Sequence, residues 1–290
     1  MFAADFDYYR PTSIAETGAL LKQHPGSKLL AGGHSLIPLL KLRLAAPPAL
    51  IDIGHIAALR GVTVKDGMVS IGALTTHAEL AASNVVREKS PALAEAAQLV
   101  GDPAVRNRGT IGGNVAHADP ASDLPTVLLA LGARFAVVGA SGTRTIEADA
   151  FFQGMMATAL GDHDLLTTIE IPERTAGQGM AYVKFAHPAS RYAVIGVAAM
   201  VNVKGGTCSS AAVAVGGLVP RPTRAANVER AIAGQPLSAD AIAKAASQVS
   251  RDLGTDILGD VYASADYRKA VAQVWVKRAL AAAAGRARGA

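Results

Sequence analysis

The stretch Arg108-Gly109-Thr110-Ile111-Gly112-Gly113-Asn114, with its earlier counterpart Ala31-Gly32-Gly33-His34-Ser35, decides the interpretation of this sequence. Each stretch contains paired glycines followed by small polar residues, and each comes after a strand-like or extended segment. Consecutive glycines can adopt positive φ and let the backbone approach a ligand closely, so that successive N–H groups converge on an anion. The two stretches therefore predict a cradle for a pyrophosphate group.

The affinity that such a cradle could supply is sufficient for a nucleotide cofactor. Each hydrogen bond to a charged group contributes on the order of 1.5 to 3 kcal/mol, so four of them could supply roughly 6 to 12 kcal/mol before ordering costs. Micromolar affinity needs about 8 kcal/mol. Neither stretch has the third glycine of the Rossmann fingerprint or the Gly-Lys-Ser/Thr of a phosphate loop, so those two nucleotide folds are disfavoured. A single Gly-Gly pair is also compatible with an ordinary turn, and the surrounding residues must decide.

Short apolar strands and helices alternate around the first stretch. Ser13 and Glu16 form a capping-box pattern, which predicts a helix that ends before the turn at Pro25-Gly26. Asp66-Gly67 lies between two alternating apolar runs and predicts a hairpin. The strands predicted here are Lys28–Ala31, Ala49–Ile53, Val62–Val64 and Val69–Ile71.

The region around the second stretch mixes helices with one long loop. Thr76 to Glu79 is predicted to begin a helix, and Ser90-Pro91 places proline at the first position of another that runs to about Leu99. A long glycine-containing loop is expected to follow, and then a helix before Gly132. A hairpin at Ser141-Gly142 and a strand at Leu165–Ile171 complete this part.

The chain becomes polar and glycine-bearing near Thr175 to Gly179, which predicts a boundary between domains at residues 1–176 and 177–290. Three strands and then helices follow, giving an α+β arrangement. A helix at Ser264–Leu280 shows an apolar stripe at Tyr267, Val271 and Val274. The three strands are predicted at Ala181–Phe185, Val194–Val203 and Ala211–Val215. The basic residues beyond Trp275 are expected to form a solvated, partly disordered end; they are Lys277, Arg278, Arg286 and Arg288.

Composition excludes several classes of protein. The 290 residues contain one cysteine, Cys208, so the chain can form no internal disulfide and cannot supply the ligands of an iron–sulfur cluster. The net charge of +5 is scattered and aromatic residues make up 4%, which argues against nucleic-acid binding. No apolar run reaches membrane-spanning length, and the first residues do not resemble a secretory signal. We therefore expect a cytoplasmic protein.

The residues that flank the glycine pairs carry a resemblance to a known family. The string Ala31 to Pro38, with Lys41, Arg43 and Leu50 to Ile53, resembles the first FAD loop of flavoprotein subunits of the xanthine dehydrogenase family. Arg108 to Asn114, continued by Asp119-Pro120-Ala121-Ser122-Asp123-Leu124-Pro125, resembles their second loop. The similarity extends over essentially the whole chain and is greatest to the medium-subunit type of aerobic carbon monoxide dehydrogenase.

The resemblance implies a vanillyl-alcohol-oxidase-type (PCMH-type) FAD-binding domain, followed by a smaller α/β flavoprotein C-terminal domain. Ala31, Gly32, Gly33, His34 and Ser35, with Thr110, Ile111, Gly112, Gly113 and Asn114, would cradle the pyrophosphate and nearby ribityl oxygens. Asp123 would hold flavin-side hydroxyls, Leu166 would pack near the adenine half, Lys184 would lie by the cofactor, and Tyr192 near the isoalloxazine.

Some of these residues have alternative interpretations. Lys184 alternates with apolar residues in a strand and could face solvent, and Asp123 could cap the helix that begins near Leu124. His117, Asp119 and Asp123 do not have the spacing of a metal site. His34 occupies a position where distant flavoproteins of this fold attach FAD covalently, but the resembled family implies non-covalent FAD.

The resemblance implies an electron-transfer subunit. An iron–sulfur small subunit and a molybdopterin large subunit would be its partners, in a dimer of heterotrimers, with the molybdopterin and [2Fe-2S] clusters on those partners only. Two other classes stay open: a self-sufficient FAD oxidoreductase, against which stands the lack of a catalytic acid–base set, and a non-catalytic module that has lost FAD. The substrate and the electron acceptor are not encoded in recognisable motifs of this chain.

Overall fold

The fold is given by a computed structural model, which describes residues 2–288 apart from the side chain of Arg288. The N-terminal part forms a three-stranded, a five-stranded and a two-stranded sheet, and the C-terminal part forms a four-stranded sheet. Helices lie between these sheets, which confirms the predicted α+β class.

The N-terminal part, residues 2–174, contains ten strands and nine helices within the described residues. Its strands are β1 (Asp7–Tyr9), β2 (Lys28–Leu30), β3 (Ala49–Asp52), β4 (Val62–Lys65), β5 (Met68–Gly72), β6 (Arg134–Gly139), β7 (Gly142–Glu147), β8 (Phe152–Gly154), β9 (Ala157–Thr158) and β10 (Leu165–Pro172). Its helices are α1 (Ile14–Gln23), α2 (Leu36–Lys41), α3 (His77–Ala82), α4 (Asn84–Lys89), α5 (Pro91–Leu99), α6 (Pro103–Arg108), α7 (Ile111–His117), α8 (Asp123–Ala130) and α9 (Ala148–Phe151), with a 3-10 turn at Ala57–Leu59.

The C-terminal part, residues 178–288, forms one sheet covered by helices. Its strands are β11 (Gln178–Ala186), β12 (Ala193–Lys204), β13 (Thr207–Gly216) and β14 (Thr223–Arg224), paired antiparallel in that order. Its helices are α10 (Ala226–Ile232), α11 (Ala239–Ala246) and α12 (Ala265–Arg288), with a 3-10 turn at Ser247–Arg251.

The first sheet is parallel, in the order β1-β3-β2, and α1 connects two of its strands. Helix α1 begins where predicted, because the Ser13 hydroxyl accepts a hydrogen bond from the Glu16 N–H at 3.1 Å. The Glu16 carboxylate, however, accepts from the backbone N–H of Thr12 at 2.7 Å, so the reciprocal half of the capping box lies one residue earlier than the pattern predicts. This sheet ends at the first glycine stretch, which follows β2.

The five-stranded sheet, in the order β4-β5-β10-β6-β7, is antiparallel, and β10 occupies its centre. Its first hairpin turns at Asp66 and Gly67, which have φ of +52° and +73°. Consecutive residues with positive φ are what the tight two-residue hairpin requires, so the predicted turn is confirmed. The sheet presents β5 and the residues after it to the second glycine stretch.

The long loop predicted after Leu99 is wrong, because α6 and α7 occupy it. The Asp102 carboxylate accepts from the Val105 N–H at 2.9 Å and caps α6, while Pro103 occupies its first turn. Thr110 caps α7 in the same way, through the Gly113 N–H at 3.1 Å. Both helices are too short to show an apolar period, and only their caps indicate them.

The C-terminal helix corrects two predictions. Helix α12 continues to Arg288, so the basic end is not a disordered tail over the described residues. Tyr267 and Val274 are 49% and 43% exposed, so the predicted stripe is not the buried one. The buried face is formed mainly by alanines at helical spacing, with one valine and one leucine: Ala272, Val276, Ala279, Leu280, Ala283 and Ala287. Alanine lets the helix lie so close to β11 that a Cβ at Gly179 would collide with the Ala283 carbonyl.

Candidate functional site

The two glycine stretches lie against each other. We call residues 31–35 the first glycine segment and residues 108–114 the second. A Cβ added at Gly32 would collide with the carbonyl of Arg108 and would stand 2.9 Å from the Gly109 Cα. A Cβ at Gly113 would stand 3.8 Å from the Cβ of Ala31. The fold therefore brings together the stretches that the sequence paired by similarity.

The first glycine segment forms the turn between β2 and α2. Gly33 has φ of +74°, and the Ile37 N–H donates to its carbonyl at 2.9 Å. The backbone N–H groups of Gly32, Gly33, His34 and Ser35 donate to no group within residues 2–288. Nδ1 of His34 lies 3.1 Å from the Gly32 carbonyl oxygen. This segment thus has the unpaired, successive N–H groups of an anion nest.

The second glycine segment differs from the prediction, since Gly112 and Gly113 belong to the first turn of α7 and do not have positive φ. The N–H groups of Ile111 and Gly112 donate to the carbonyls of Thr75 and Ala73 at 2.9 and 2.8 Å. These glycines are needed for close packing instead, because a Cβ at Gly112 would stand 2.5 Å from the Ala73 Cβ and 2.7 Å from its carbonyl oxygen. Gly32 likewise lacks positive φ.

Asn114 connects the second glycine segment to the loop at residues 118–123. Its amide nitrogen donates to the Ser122 hydroxyl at 3.1 Å, while its buried Oδ1 has no hydrogen-bond partner within the described residues. Ala118 adopts a left-handed φ of +50°, and the Asp119 carboxylate accepts from the Ala121 N–H at 2.8 Å. Ala118 is the C-cap residue of α7, and this left-handed conformation is uncommon for a residue other than glycine.

The C-terminal part holds this loop in place through backbone hydrogen bonds. The Gly217 N–H donates to the Pro120 carbonyl at 2.9 Å, and the Ala193 N–H donates to the Ala121 carbonyl at 3.1 Å. Arg268, which is buried, donates in turn to the carbonyl of Gly217 at 3.0 Å. The loop is therefore shaped by both halves of the chain.

Asp123, Tyr182 and Lys184 form a buried cluster across the two parts. Oδ1 of Asp123 accepts from the Tyr182 hydroxyl at 2.5 Å, and Oδ2 accepts from Nζ of Lys184 at 2.8 Å. Nζ also donates to the Leu99 carbonyl at 3.1 Å. The Lys184 side chain is 2% exposed, so the solvent-facing alternative is wrong, and the helix cap of α8 is Ser122 and not Asp123.

Burial dominates the electrostatics of this cluster. It raises the pKa of Asp123, while Lys184 and the Tyr182 hydroxyl oppose that rise. Burial and the Asp123 carboxylate together raise the pKa of Tyr182 well above its ordinary value, so the phenol stays protonated and donates. Each charge depends on the other, because an isolated charge in such a place is strongly unfavourable.

Replacing Lys184 with methionine is expected to lower the free energy of unfolding by about 3–5 kcal/mol, since it leaves the Asp123 carboxylate buried without its cation. Urea unfolding measures the change. Lys65→Met, on the exposed strand β4, is the matched control and is expected to cost less than about 0.5 kcal/mol. An equal loss of unfolding free energy in the two variants would show that Lys184 does not stabilise the buried Asp123 carboxylate.

The other two residues implied by the resemblance lie at the edges of this site. Tyr192 is 46% exposed and follows Arg191, whose φ is +59°. Burial raises the pKa of Tyr192, and the Asp119 and Asp123 carboxylates add to that rise. The next residue, Ala193, is hydrogen-bonded to the 118–123 loop at the Ala121 carbonyl. Leu166 is buried in β10, and the next carbonyl, that of Thr167, accepts from the Ala73 N–H at 2.9 Å beside Gly112.

His77 is a residue of this region that the sequence prediction missed. It is the first residue of α3, is 3% exposed, and its N–H donates to the Gly109 carbonyl at 3.0 Å. Burial, with smaller contributions from the nearby His34 and Arg106, lowers the pKa of His77 to about 4. The string Thr75-Thr76-His77 before Glu79 marked the helix start, but nothing in it indicated burial beside the first glycine segment.

Two features do not occur in the part of the chain that the structure describes. Residues 2–288 contain no group of three His, Cys, Asp or Glu side chains placed to hold a metal ion. The same residues include no helix with the length and apolar character to cross a bilayer. Cys208 is buried in β13, and burial raises the pKa of its thiol, as expected for an inert cysteine.

Comparison with known proteins places this fold in a class. Residues 4–174 match the sequence model of the FAD binding domain in molybdopterin dehydrogenase, and residues 180–283 match that of the CO dehydrogenase flavoprotein C-terminal domain. The chain is thus a two-domain flavoprotein of the molybdopterin dehydrogenase class.

Individual relatives cover the chain almost completely. The carbon monoxide dehydrogenase medium chain of Hydrogenophaga pseudoflava is 40% identical over 286 residues, which is 98% of each chain. A solved chain of carbon monoxide dehydrogenase from the same organism superposes with a TM-score of 0.94 at 41% identity over 99% of each chain. A solved chain of quinoline 2-oxidoreductase from Pseudomonas putida 86 superposes with a TM-score of 0.93 at 30% identity, over 99% of each chain. The chain belongs to the family of FAD-binding medium subunits of molybdenum-containing hydroxylases and dehydrogenases.

Proposed function

We propose that this chain holds one FAD non-covalently and passes electrons from an iron–sulfur partner to an external acceptor. The observation that carries the proposal is the first glycine segment, where the N–H groups of residues 32–35 have no acceptor within the described chain and lie against the second segment. Successive unpaired N–H groups bind an anion such as a pyrophosphate. Family membership supports FAD as the molecule that supplies it.

The residues present fit this cofactor. Within the proposed site Ala31 to Ser35 bind the pyrophosphate, and Thr110 to Asn114 form the wall against which that segment is held. The buried Oδ1 of Asn114 has no partner within residues 2–288 and is available to a hydroxyl of the ligand. FAD, when bound, supplies the redox chemistry, and the protein positions it and tunes its surroundings.

The remaining assignments follow from the resemblance and from position. We assign Asp123 and Lys184 to the flavin side, Tyr192 to the neighbourhood of the isoalloxazine and Leu166 to that of the adenine. Because Asp123 and Lys184 neutralise each other at 2.8 Å, their effect on the flavin is that of a dipole and not of a free positive charge. The proposed domain boundary stays at residues 176 and 177.

We further propose an iron–sulfur small subunit and a molybdopterin large subunit as partners, in a dimer of heterotrimers. One cysteine cannot hold a cluster, so in the proposed role the electrons arrive from a cluster on another chain. The names of the similar proteins refer to carbon monoxide and to quinoline, which supports assigning substrate choice to the molybdopterin partner. The cytoplasmic location stays a prediction that cell fractionation tests.

A test of the cofactor proposal is the flavin content of the purified chain. We expect one FAD per polypeptide, released into solution by acid or heat and identified by chromatography. Flavin that stays attached to the polypeptide would indicate a tether at His34. A colourless protein that also fails to take up added FAD would contradict the proposal and favour the non-catalytic module.

A further inference from the structure

His77 is a buried histidine whose side chain the protein leaves without a hydrogen bond. It is 3% exposed, and its Nδ1 has no partner within residues 2–288. No hydrogen bond to the other ring nitrogen occurs in the same range. Buried polar side chains in folded proteins nearly always have a partner, so an unpaired one beside a ligand site points to a group supplied by the ligand.

The position of the ring relates it to the glycine segments. A Cβ added at Gly109 would stand 2.8 Å from Cδ2 and 2.9 Å from Nε2 of His77, so this edge of the ring faces the backbone of the second segment. The same Gly109 backbone packs against Gly32. His34, in the first segment, is close enough to contribute to the electrostatics of the imidazole. A half-turn of the ring would bring Nδ1 to the edge that Cδ2 now occupies.

The charged groups around His77 favour an anion. Arg106 and His34 are the groups that act on it electrostatically, and both oppose a positive charge on the ring. The Arg106 guanidinium donates to the carbonyls of Val100 and Gly101 at 3.0 and 3.2 Å and forms no ion pair with a carboxylate within residues 2–288. A neutral imidazole in this place offers one N–H donor and carries no charge of its own.

We propose that His77 is a further binding residue of this site and donates a hydrogen bond from a ring nitrogen to a phosphate oxygen of the bound dinucleotide. The proposal rests on the proposed FAD function. It adds a side-chain donor from α3 to the backbone N–H groups of the first segment. In the ligand-bound protein the imidazole then has the partner that the protein itself does not provide.

The test compares variants of the full chain in FAD binding. His77→Leu keeps an apolar side chain of similar size and removes both nitrogens. His77→Gln and His77→Asn place an amide N–H where Nε2 and Nδ1 stand. We expect His77→Leu to weaken FAD binding by at least about tenfold, as for one hydrogen bond to a charged group, and one of the two amide variants to stay within about threefold of the wild type.

Stability and phosphorus NMR separate binding from packing. Removing an unpaired buried polar group does not destabilise a core, so His77→Leu is expected to unfold at a urea concentration at least equal to that of the wild type without FAD. The ³¹P resonances of bound FAD are expected to shift in His77→Leu. They are expected to stay unchanged in the control His24→Leu, whose wild-type ring stacks on Tyr9.

Each outcome has one meaning. Wild-type FAD affinity and unshifted ³¹P resonances in His77→Leu would overturn the role of His77 while leaving the FAD proposal intact. Loss of affinity in the leucine variant and in both amide variants would show that shape, and not a hydrogen bond, is what the position supplies, which also overturns it. A wild-type chain that binds no FAD would overturn both proposals.

Discussion

Gly32→Ala is expected to abolish stable FAD binding by this chain. The added methyl group would occupy the position of the Arg108 carbonyl and crowd the Gly109 Cα, so the two glycine segments must separate. Separation displaces the unpaired N–H groups of residues 32–35 from a common anion. Losing two hydrogen bonds to a charged group at about 1.5–3 kcal/mol each lowers affinity roughly 10²- to 10⁴-fold. The ratio of FAD to protein after gel filtration measures the effect.

Gly18→Ala is the matched control, because a Cβ there meets nothing within 4 Å and the residue lies inside α1. Alanine should stabilise that helix by about 1 kcal/mol and leave FAD content unchanged. Gly112→Val is expected to act differently from Gly32→Ala, because its side chain would enter the core at Ala73 and lower the unfolding temperature as well. Full FAD content in Gly32→Ala would show that the contact between the segments is not needed for binding.

The second large effect concerns the partner subunits. The physiological substrate is expected to leave the flavin absorbance of the isolated chain unchanged and to bleach the flavin of the complex completely. In the proposed role the electrons reach the flavin from an iron–sulfur cluster, and the single cysteine of this chain cannot itself bind such a cluster. Anaerobic mixing with carbon monoxide, aldehydes and purine-like heterocycles, followed by flavin absorbance, makes the comparison.

Dithionite is the control in that experiment, because it should reduce the flavin of the isolated chain and of the complex alike. The complex is obtained by co-expression with the proteins encoded beside this chain, and its mass tests the proposed dimer of heterotrimers. Rapid bleaching of the isolated flavoprotein by one of the substrates would contradict the subunit proposal and favour the self-sufficient oxidoreductase.

Local signals in the sequence predicted the elements that local forces build. The Asp66-Gly67 turn, the proline at the start of α5 and the Thr76 cap of α3 all stand where predicted, because each depends on residues within one turn of chain. The fold also brings the two paired-glycine stretches together, while their binding of a pyrophosphate stays a prediction. The positive φ predicted for the glycines of the second segment was wrong. A glycine needed for close packing and one needed for positive φ look alike in sequence.

The features that were missed depend on partners distant in the chain. Whether Lys184 faces solvent or Asp123 is decided by how β11 meets α8, and no local pattern reports that. The buried face of α12 was misassigned because large apolar residues were weighted above alanines, while the close approach to Gly179 selects small side chains. The burial of His77 likewise involves Gly109, which follows it in the chain only after α4, α5 and α6.

The hydrogen bonds from Gly217 to Pro120 and from Ala193 to Ala121 also set an order of events during synthesis. A chain leaves the ribosome from its N-terminus at about 5–20 residues per second, and contacts between distant residues form late. Both glycine segments emerge long before β12 and β13, so the Pro120 and Ala121 carbonyls lack these two partners until most of the second domain has been made. Cofactor loading is therefore expected to follow translation, and a nascent chain that stops at residue 176 presents an unfinished binding site.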